Sequence, residues 1–382
     1  MRQGAAIIGS GFIAPVHIEA LCRSGIPVLG VLGSSPARAA GLASAWNLRN
    51  YENLDALLRD ERVGVVHVTS PNRHHVAHTR ALLAAGKHVL CEKPLAMTSQ
   101  ESAELVRLAQ TSKCVAGVAY NVRYYPLCLE ARARVKQGAV GGIHHVSGSY
   151  AQDWLLNQTD YNWRVLAEEG GELRAVADIG THWMDLMQFI TGKKIVSVCA
   201  DLRVVHPTRS RPVGEVETFA KVGATETVAV PITTDDYGAI LLRFEGGVPG
   251  VCWVSQVHAG CKNRIEFQLA GAQTALSWCS ERPEELNVGR RGRPNELLLR
   301  DPAIMDSTAA AYSNYPGGHC EGYPDTFKQL FRAFYDYIDA GDFSAPRAFP
   351  TFEDGHYELR VCDAIVKSHR ERRWVDIAEA SV

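Results

Sequence analysis

The chain has 382 residues, 46% of them hydrophobic and 21% charged, with a formal net charge of -2. That length asks for two domains rather than one ordinary core, and the composition is that of a globular protein. Near-neutral charge with short basic runs (Arg290-Arg291, 370–373) offers no field for nucleic acid, and no run of about eighteen uncharged apolar residues could cross a membrane.

The chain enters a strand by about Ala5 with no signal-peptide pattern before it. Residues 5–9 are a short apolar run, and 12–23 have helical spacing that tolerates Pro15 only in the first turn. A strand at 28–32, an Ala-rich helix at 36–46, a helix at 53–59 and a strand at 63–69 follow. The helix at 75–85 ends at Gly86, a strand occupies 87–91, a helix 99–110, and a further strand 115–120. Such alternation predicts a parallel sheet with helices on both faces, a Rossmann domain over 1–122.

From 123 to 382 the pattern predicts a second α/β domain. Helices are expected at 126–137 and 175–190, the latter closed by Gly192, with a half-exposed strand at 144–152. Residues 195–278 read as a meander in a large open antiparallel sheet, helices covering one face. The Pro-, Gly- and Arg-rich stretch 281–318 reads as a long surface excursion, and 326–340 and 352–369 as late helices. The apolar alternation of 237–244 and 251–257 leaves an open sheet face, which predicts a homodimer or homotetramer built sheet to sheet. Ten scattered cysteines without a CxxC pair read as reduced residues of a cytoplasmic protein.

Gly9-Ser10-Gly11-Phe12-Ile13-Ala14 matches G-x-G-x-x-A at the first strand–helix junction. There glycines permit the tight turn and the close approach of a pyrophosphate, and the helix N-terminus supplies amides for it. The second strand ends in Gly33-Ser34-Ser35-Pro36-Ala37-Arg38 with no acid for a ribose 2′-hydroxyl, so NAD and NADP both remain open, Arg38 and the serines being the groups that could meet a 2′-phosphate. Ser70, Pro71, Asn72 and His75 follow a strand at the sheet's carboxyl edge and read either as helix caps or as cofactor contacts.

Glu92-Lys93-Pro94 ends an apolar strand, where an ammonium must be desolvated unless something uses it. Asp178 and His182 stand four residues apart on one helix face, a carboxylate placed to orient an imidazole base. With the cofactor loop they form a catalytic set in which His182 takes a proton from a substrate alcohol and Lys93 binds its oxygen. No HExxH or nearby acidic set points to a metal. Tyr150, Gln152, Asp153, Trp154 and Tyr161, with His319 in a later polar turn, offer rings and polar tips suited to a polyol.

Together the glycine loop, Glu92-Lys93-Pro94 and Asp178-Ile179-Gly180-Thr181-His182 resemble the Gfo/Idh/MocA family of oxidoreductases over nearly the whole chain. The resemblance implies a Rossmann domain followed by an α/β domain on a large open sheet, and Lys93, Asp178 and His182 as the catalytic group. It also implies that Trp163, Arg164 and Asn121 lie at the nicotinamide end of the cofactor. The 150–154 segment resembles that of glucoside 3-dehydrogenases in the family. The expected activity is NAD(P)-dependent oxidation or reduction of a ring hydroxyl of a sugar, glycoside, anhydrosugar or cyclitol, with C3 as a candidate position. An NAD-dependent glycosidase using transient C3 oxidation is the alternative, and a ligand-binding regulator is disfavoured by the complete catalytic set.

Overall fold

A computed structural model describes residues 3–213 and 226–377. Short runs of Val, Ile, Leu and Ala form β1 (Gly4–Ile8), β2 (Val28–Leu32), β3 (Arg49–Asn50), β4 (Val63–Val68), β5 (His88–Cys91) and β6 (Ala116–Val118). They pair in parallel in the order β3-β2-β1-β4-β5-β6. This is the doubly wound Rossmann order, and its direction reverses between β1 and β4, where a crevice opens at the carboxyl ends of the strands. Pro15 sits in the first turn of the Ile13–Arg23 helix, where its missing N–H costs nothing. The Ser99–Thr111 helix is capped one residue earlier than its Ser/Glu start, by Thr98 and Glu101 in a capping box.

The second sheet contains β7 (Ile143–Ala151) and β8 (Ile195–Arg203), and a separate ribbon pairs β9 (Thr208–Pro212) with β10 (Thr227–Pro231). The sheet continues with β11 (Tyr237–Phe244), β12 (Val248–Ser255), β13 (Arg264–Gly271) and β14 (Ala275–Cys279). It is completed by β15 (Glu285–Gly289), β16 (Glu296–Leu299) and β17 (Val375–Asp376). Its nine strands lie in the order β16-β15-β14-β13-β7-β12-β11-β8-β17. Two antiparallel blocks flank β7, and β12 meets β7 in the same direction, so the sheet is mixed rather than wholly antiparallel. The Pro126–Lys136, Thr181–Thr191 and Phe352–Glu371 helices bury one face against Trp183, Met184, Met187 and Phe267.

Three expectations need correction. Residues 281–318 are only in part a surface excursion: Leu286 and Val288 alternate into the core, so β15 and β16 extend the sheet, while the turn between them and most of 300–318 stay irregular as the composition implies. The Tyr323–Ala340 helix covers the first sheet instead of the second, because Phe327, Phe331 and Phe334 pack with Ile7, Ala14, Ile18 and Leu21. The 175–190 helix is not uniform: Val176–Gly180 is a π turn, and the α-helix proper starts at Thr181 and ends where Gly192 takes φ 67°. Among the described residues no helix is long and apolar enough to cross a membrane, and all ten cysteines are free.

Candidate active site

At the first strand–helix junction Gly9 has φ 118°, and a Cβ there would lie 2.6 Å from the Thr69 carbonyl, so no other residue fits without moving β4. A Cβ on Gly11 would meet nothing within 4 Å: the space above it is open. Phe12 precedes the Ile13–Arg23 helix and makes no side-chain cap to its N-terminus, which borders that space. This cradle fits a dinucleotide pyrophosphate. Ser10 is half-buried and Phe12 is 50% exposed beside it.

After β2, Ser35 caps the Pro36–Ala45 helix by accepting the Arg38 amide, while Ser34 and the Arg38 side chain are exposed. Beyond β4, Ser70 shares a hydrogen bond with His78, and Asn72 donates to the Gly170 carbonyl across the crevice at 3.0 Å. Pro71 precedes the short 3-10 turn that carries Asn72. His75 is fully buried with its two ring nitrogens 2.8 and 2.9 Å from the carbonyls of Ser70 and Pro94. Its ring therefore ties the loop after β4 to the segment after β5. Asn121 is also buried and donates to Thr326.

Lys93 follows β5 at a cis Lys93-Pro94 bond. Its ammonium crosses the crevice to donate to Asp178 Oδ1 at 2.9 Å and to the Asp178 carbonyl at 2.8 Å. Asp178 Oδ2 accepts from Gln256 at 2.7 Å, and Arg164 Nε stands 3.8 Å from Oδ1 with its guanidinium stacked on Trp163. Burial alone would raise the Asp178 pKa, but the Lys93 and Arg164 charges and the Lys93 and Gln256 hydrogen bonds hold it well below the carboxylate range.

The sequence paired Asp178 with His182; the structure pairs Asp178 with Lys93 instead. In the wider π turn the carboxylate is spent on Lys93 and Gln256, and no hydrogen bond joins it to His182. His182 lies in the first turn of the regular helix just beyond, walled by Tyr120 at 5.6 Å and Tyr150 at 6.2 Å between ring centroids. Its Nδ1 is buried without a hydrogen-bond partner. Burial, then the Lys93 charge, push its pKa well below the ordinary imidazole value, so the ring is neutral near pH 7. A neutral imidazole beside an ammonium on a carboxylate is an arrangement that can accept a proton from an alcohol whose oxygen the ammonium holds.

Gln256 was not among the residues expected at the site. It is fully buried and accepts from Arg174 Nη1 at 2.8 Å, and Arg174 and Arg209 in turn share the buried Asp236 carboxylate. Asp235 accepts the Arg174 and Val176 amides and so fixes the start of the π turn. Only an apolar-alternation break at Gln256, in a strand end of Val and Ser, hinted at it.

The expected polyol groups divide. Tyr150 and Gln152 both donate to Asn263 Oδ1 at 2.8 Å, and Trp154 donates to Gln152, so these tips are largely occupied. Asp153 pairs with Lys262 at 2.7 Å. Trp154 and Tyr161 pack around Leu155, Val165 and Ile232. His319 is exposed, and its carbonyl accepts from the buried Arg300. Tyr323, at the end of that same turn, is the ring that feels Glu92, Asp178 and Arg164: burial and then these carboxylates raise its pKa.

Comparison with known proteins matches residues 4–120 to the oxidoreductase family model with an NAD-binding Rossmann fold, and 128–277 to the GFO/IDH/MocA C-terminal domain. Levoglucosan dehydrogenase of Pseudarthrobacter phenanthrenivorans is 28% identical over 98% of both chains. D-Glucoside 3-dehydrogenase of Escherichia coli is 27% identical over 66% of this chain and 70% of its own. The solved levoglucosan dehydrogenase complex with NADH and L-sorbose superposes with a TM-score of 0.89 at 27% identity, over 99% of this chain and 100% of that one. An inositol dehydrogenase homolog from Azotobacter vinelandii complexed with NAD+ gives 0.84 at 25% identity, over 98% of this chain and 97% of that one.

Proposed function

The chain belongs to the Gfo/Idh/MocA family of NAD-dependent oxidoreductases, among the sugar and cyclitol dehydrogenases, and we propose that it oxidises a secondary ring hydroxyl of a neutral glycoside or anhydrosugar at C3. The observation that carries this reading is the Lys93 ammonium lying on Asp178 beside the neutral His182 at the mouth of the cofactor crevice. Among the described residues the guanidinium beside Asp178 is that of Arg164, which stacks on Trp163, and no second arginine pairs with that carboxylate, an arrangement that favours a neutral substrate over one clamped by paired arginines. The comparisons give the glycosidase alternative no support.

In this reading Lys93 donates a hydrogen bond to the substrate oxygen and stabilises its developing negative charge. His182 accepts the hydroxyl proton at its neutral imidazole. Asp178 holds the ammonium in place and stays ionised, and Gln256, backed by Arg174, keeps the carboxylate from rotating. Gly9, Gly11 and the amides after Phe12 would hold NAD, which supplies the hydride acceptor when bound. The Asn72–Gly170 contact closes the crevice beside it and helps exclude water.

The test is NADH appearance on mixing the protein and NAD with a panel of neutral glucosides, anhydrosugars, inositols and acyclic 2-hydroxy acids. Turnover with the cyclic neutral substrates is expected. Turnover confined to hydroxy acids rejects the substrate class.

A further inference from the structure

Beneath Lys93 runs a buried polar chain that the chemistry above does not use. Glu92 Oε2 accepts the Lys93 amide at 3.2 Å, and Glu92 Oε1 lies 2.9 Å from His17 Nε2. His17 Nδ1 lies 2.9 Å from His67 Nδ1, and His67 Nε2 lies 3.1 Å from the Tyr335 hydroxyl. The four groups come from four places in the fold: the helix after the glycine loop, the residue after β5, the carboxyl end of β4, and the Tyr323–Ala340 helix. His17 and His67 are 0% exposed, and Phe327 and Phe331 pack on their rings at 4.6–5.4 Å. No water can replace a bond lost in such a wall, so the chain is sensitive to each of its members.

The protons in this chain are constrained. Burial would raise the Glu92 pKa, yet the His17 hydrogen bond and the Lys93 charge bring it below the usual carboxylate value, so Glu92 only accepts. Burial, then His17, push His67 well below the ordinary imidazole value, so its ring carries one proton. Because an ionised carboxylate only accepts, His17 Nε2–H is the donor to Glu92, and the His17–His67 and His67–Tyr335 contacts extend that bond into the wall.

We propose that His17, backed by His67, is a positioning residue for Lys93: it fixes the Glu92 carboxylate on the Lys93 amide and so ties the cofactor-loop helix to the ammonium that meets the substrate oxygen. The proposal rests on the reading of Lys93 given above. His17→Leu leaves Glu92 Oε1 unpaired among the phenylalanines, and the carboxylate must turn or take up a proton, which frees the backbone of Lys93. Displacement of a reacting group by roughly 1 Å costs about 10²-fold in rate, and that is the loss of kcat expected for His17→Leu. His17→Gln, whose amide can still donate to Glu92, should recover about tenfold of it.

The experiment compares His17→Leu and His17→Gln with the unaltered protein, all saturated with NADH or NAD. Kinetics on the best sugar of the panel should show the fall in kcat, a larger primary deuterium isotope effect and a dissociation constant for NADH within about threefold. A lower melting temperature with kcat and isotope effect unchanged overturns the proposal, because that is what a packing role alone would do. A crystal structure of His17→Leu with NADH decides the same point without substrate. Lys93 Nζ should leave hydrogen-bond reach of Asp178, and an ammonium still seated on the carboxylate overturns the proposal. Failure of the unaltered protein to oxidise any sugar would count against the dehydrogenase reading, while the variant structure still decides whether His17 positions Lys93.

Discussion

Replacing Lys93 by Met removes the ammonium from a site that is otherwise kept whole. Methionine has nearly the length of the lysine stem and leaves little cavity, and the glycine loop follows β1, separated from β5 by β4. Two bonds are lost, those to Asp178 Oδ1 at 2.9 Å and to its carbonyl at 2.8 Å. Asp178 keeps Gln256 at 2.7 Å and Arg164 at 3.8 Å, so the carboxylate survives in the variant but is less well held. Removal of one donor to a developing alkoxide costs about 10²–10³ in kcat, or roughly 2.7–4 kcal/mol. The dissociation constant for NADH should stay within about threefold, since no cofactor amide is touched. A linked effect appears in stability. The folded pKa of Asp178 is depressed below its unfolded value of about 3.9, so its contribution is complete above that pH and is lost as pH falls through the folded value. Lys93→Met should shrink that contribution and flatten the acid limb of the unfolding curve. Steady-state NADH formation and NADH fluorescence titration measure the two kinetic claims. Normal cofactor affinity with near-normal turnover would refute the assignment of Lys93.

Burial and Lys93 hold His182 below the ordinary imidazole pKa, so kcat should rise with pH on an acidic limb whose midpoint lies below about 6.5, and His182→Ala should abolish that limb; an unchanged profile assigns the proton to another group. Gln256→Leu strands Arg174 Nη1 and Asp178 Oδ2, each at about 1–3 kcal/mol, which should show as reduced stability in urea together with a kcat loss of about tenfold, and a fully stable and active variant contradicts the network. Leu241 and Val251 face each other across β11 and β12 at 48% and 40% exposure on the open side of the large sheet. We expect that face to close a homodimer or homotetramer, so light scattering should report an oligomer that Val251→Glu reduces to a smaller species; a monomer before substitution rejects the sheet-to-sheet contact.

How far the sequence could be read follows from how local each signal is. The glycine loop, the apolar strands of the first domain and Glu92-Lys93-Pro94 are each contained in a few consecutive residues, and the structure has β1, β2, β4, β5 and β6 on those runs. Strand β3 escaped because two residues, Arg49-Asn50, carry no alternation at all. The partner of Asp178 was misread because i, i+4 spacing presumes a regular helix, and the π turn at Val176–Gly180 leaves no mark in composition. Gln256, Arg174 and Asp236 meet across about 60–80 residues of chain, and His17, His67 and Glu92 across 25–75; no periodicity encodes such encounters. Residues 326–340 were legible as a helix, but the Tyr323–Ala340 helix packs on the first sheet, and helical periodicity says only that a face is buried, not against what.

The central claim is that a ring C–H of a neutral sugar is delivered as hydride to NAD at the Lys93–Asp178–His182 site. The most direct test is a single turnover with a glucoside deuterated at C3, followed by mass analysis of the nicotinamide and the sugar. Deuterium on the reduced nicotinamide, with loss of the transfer in Lys93→Met, is the predicted result. Deuterium retained in the sugar, or reduction of NAD without label from that carbon, would contradict it.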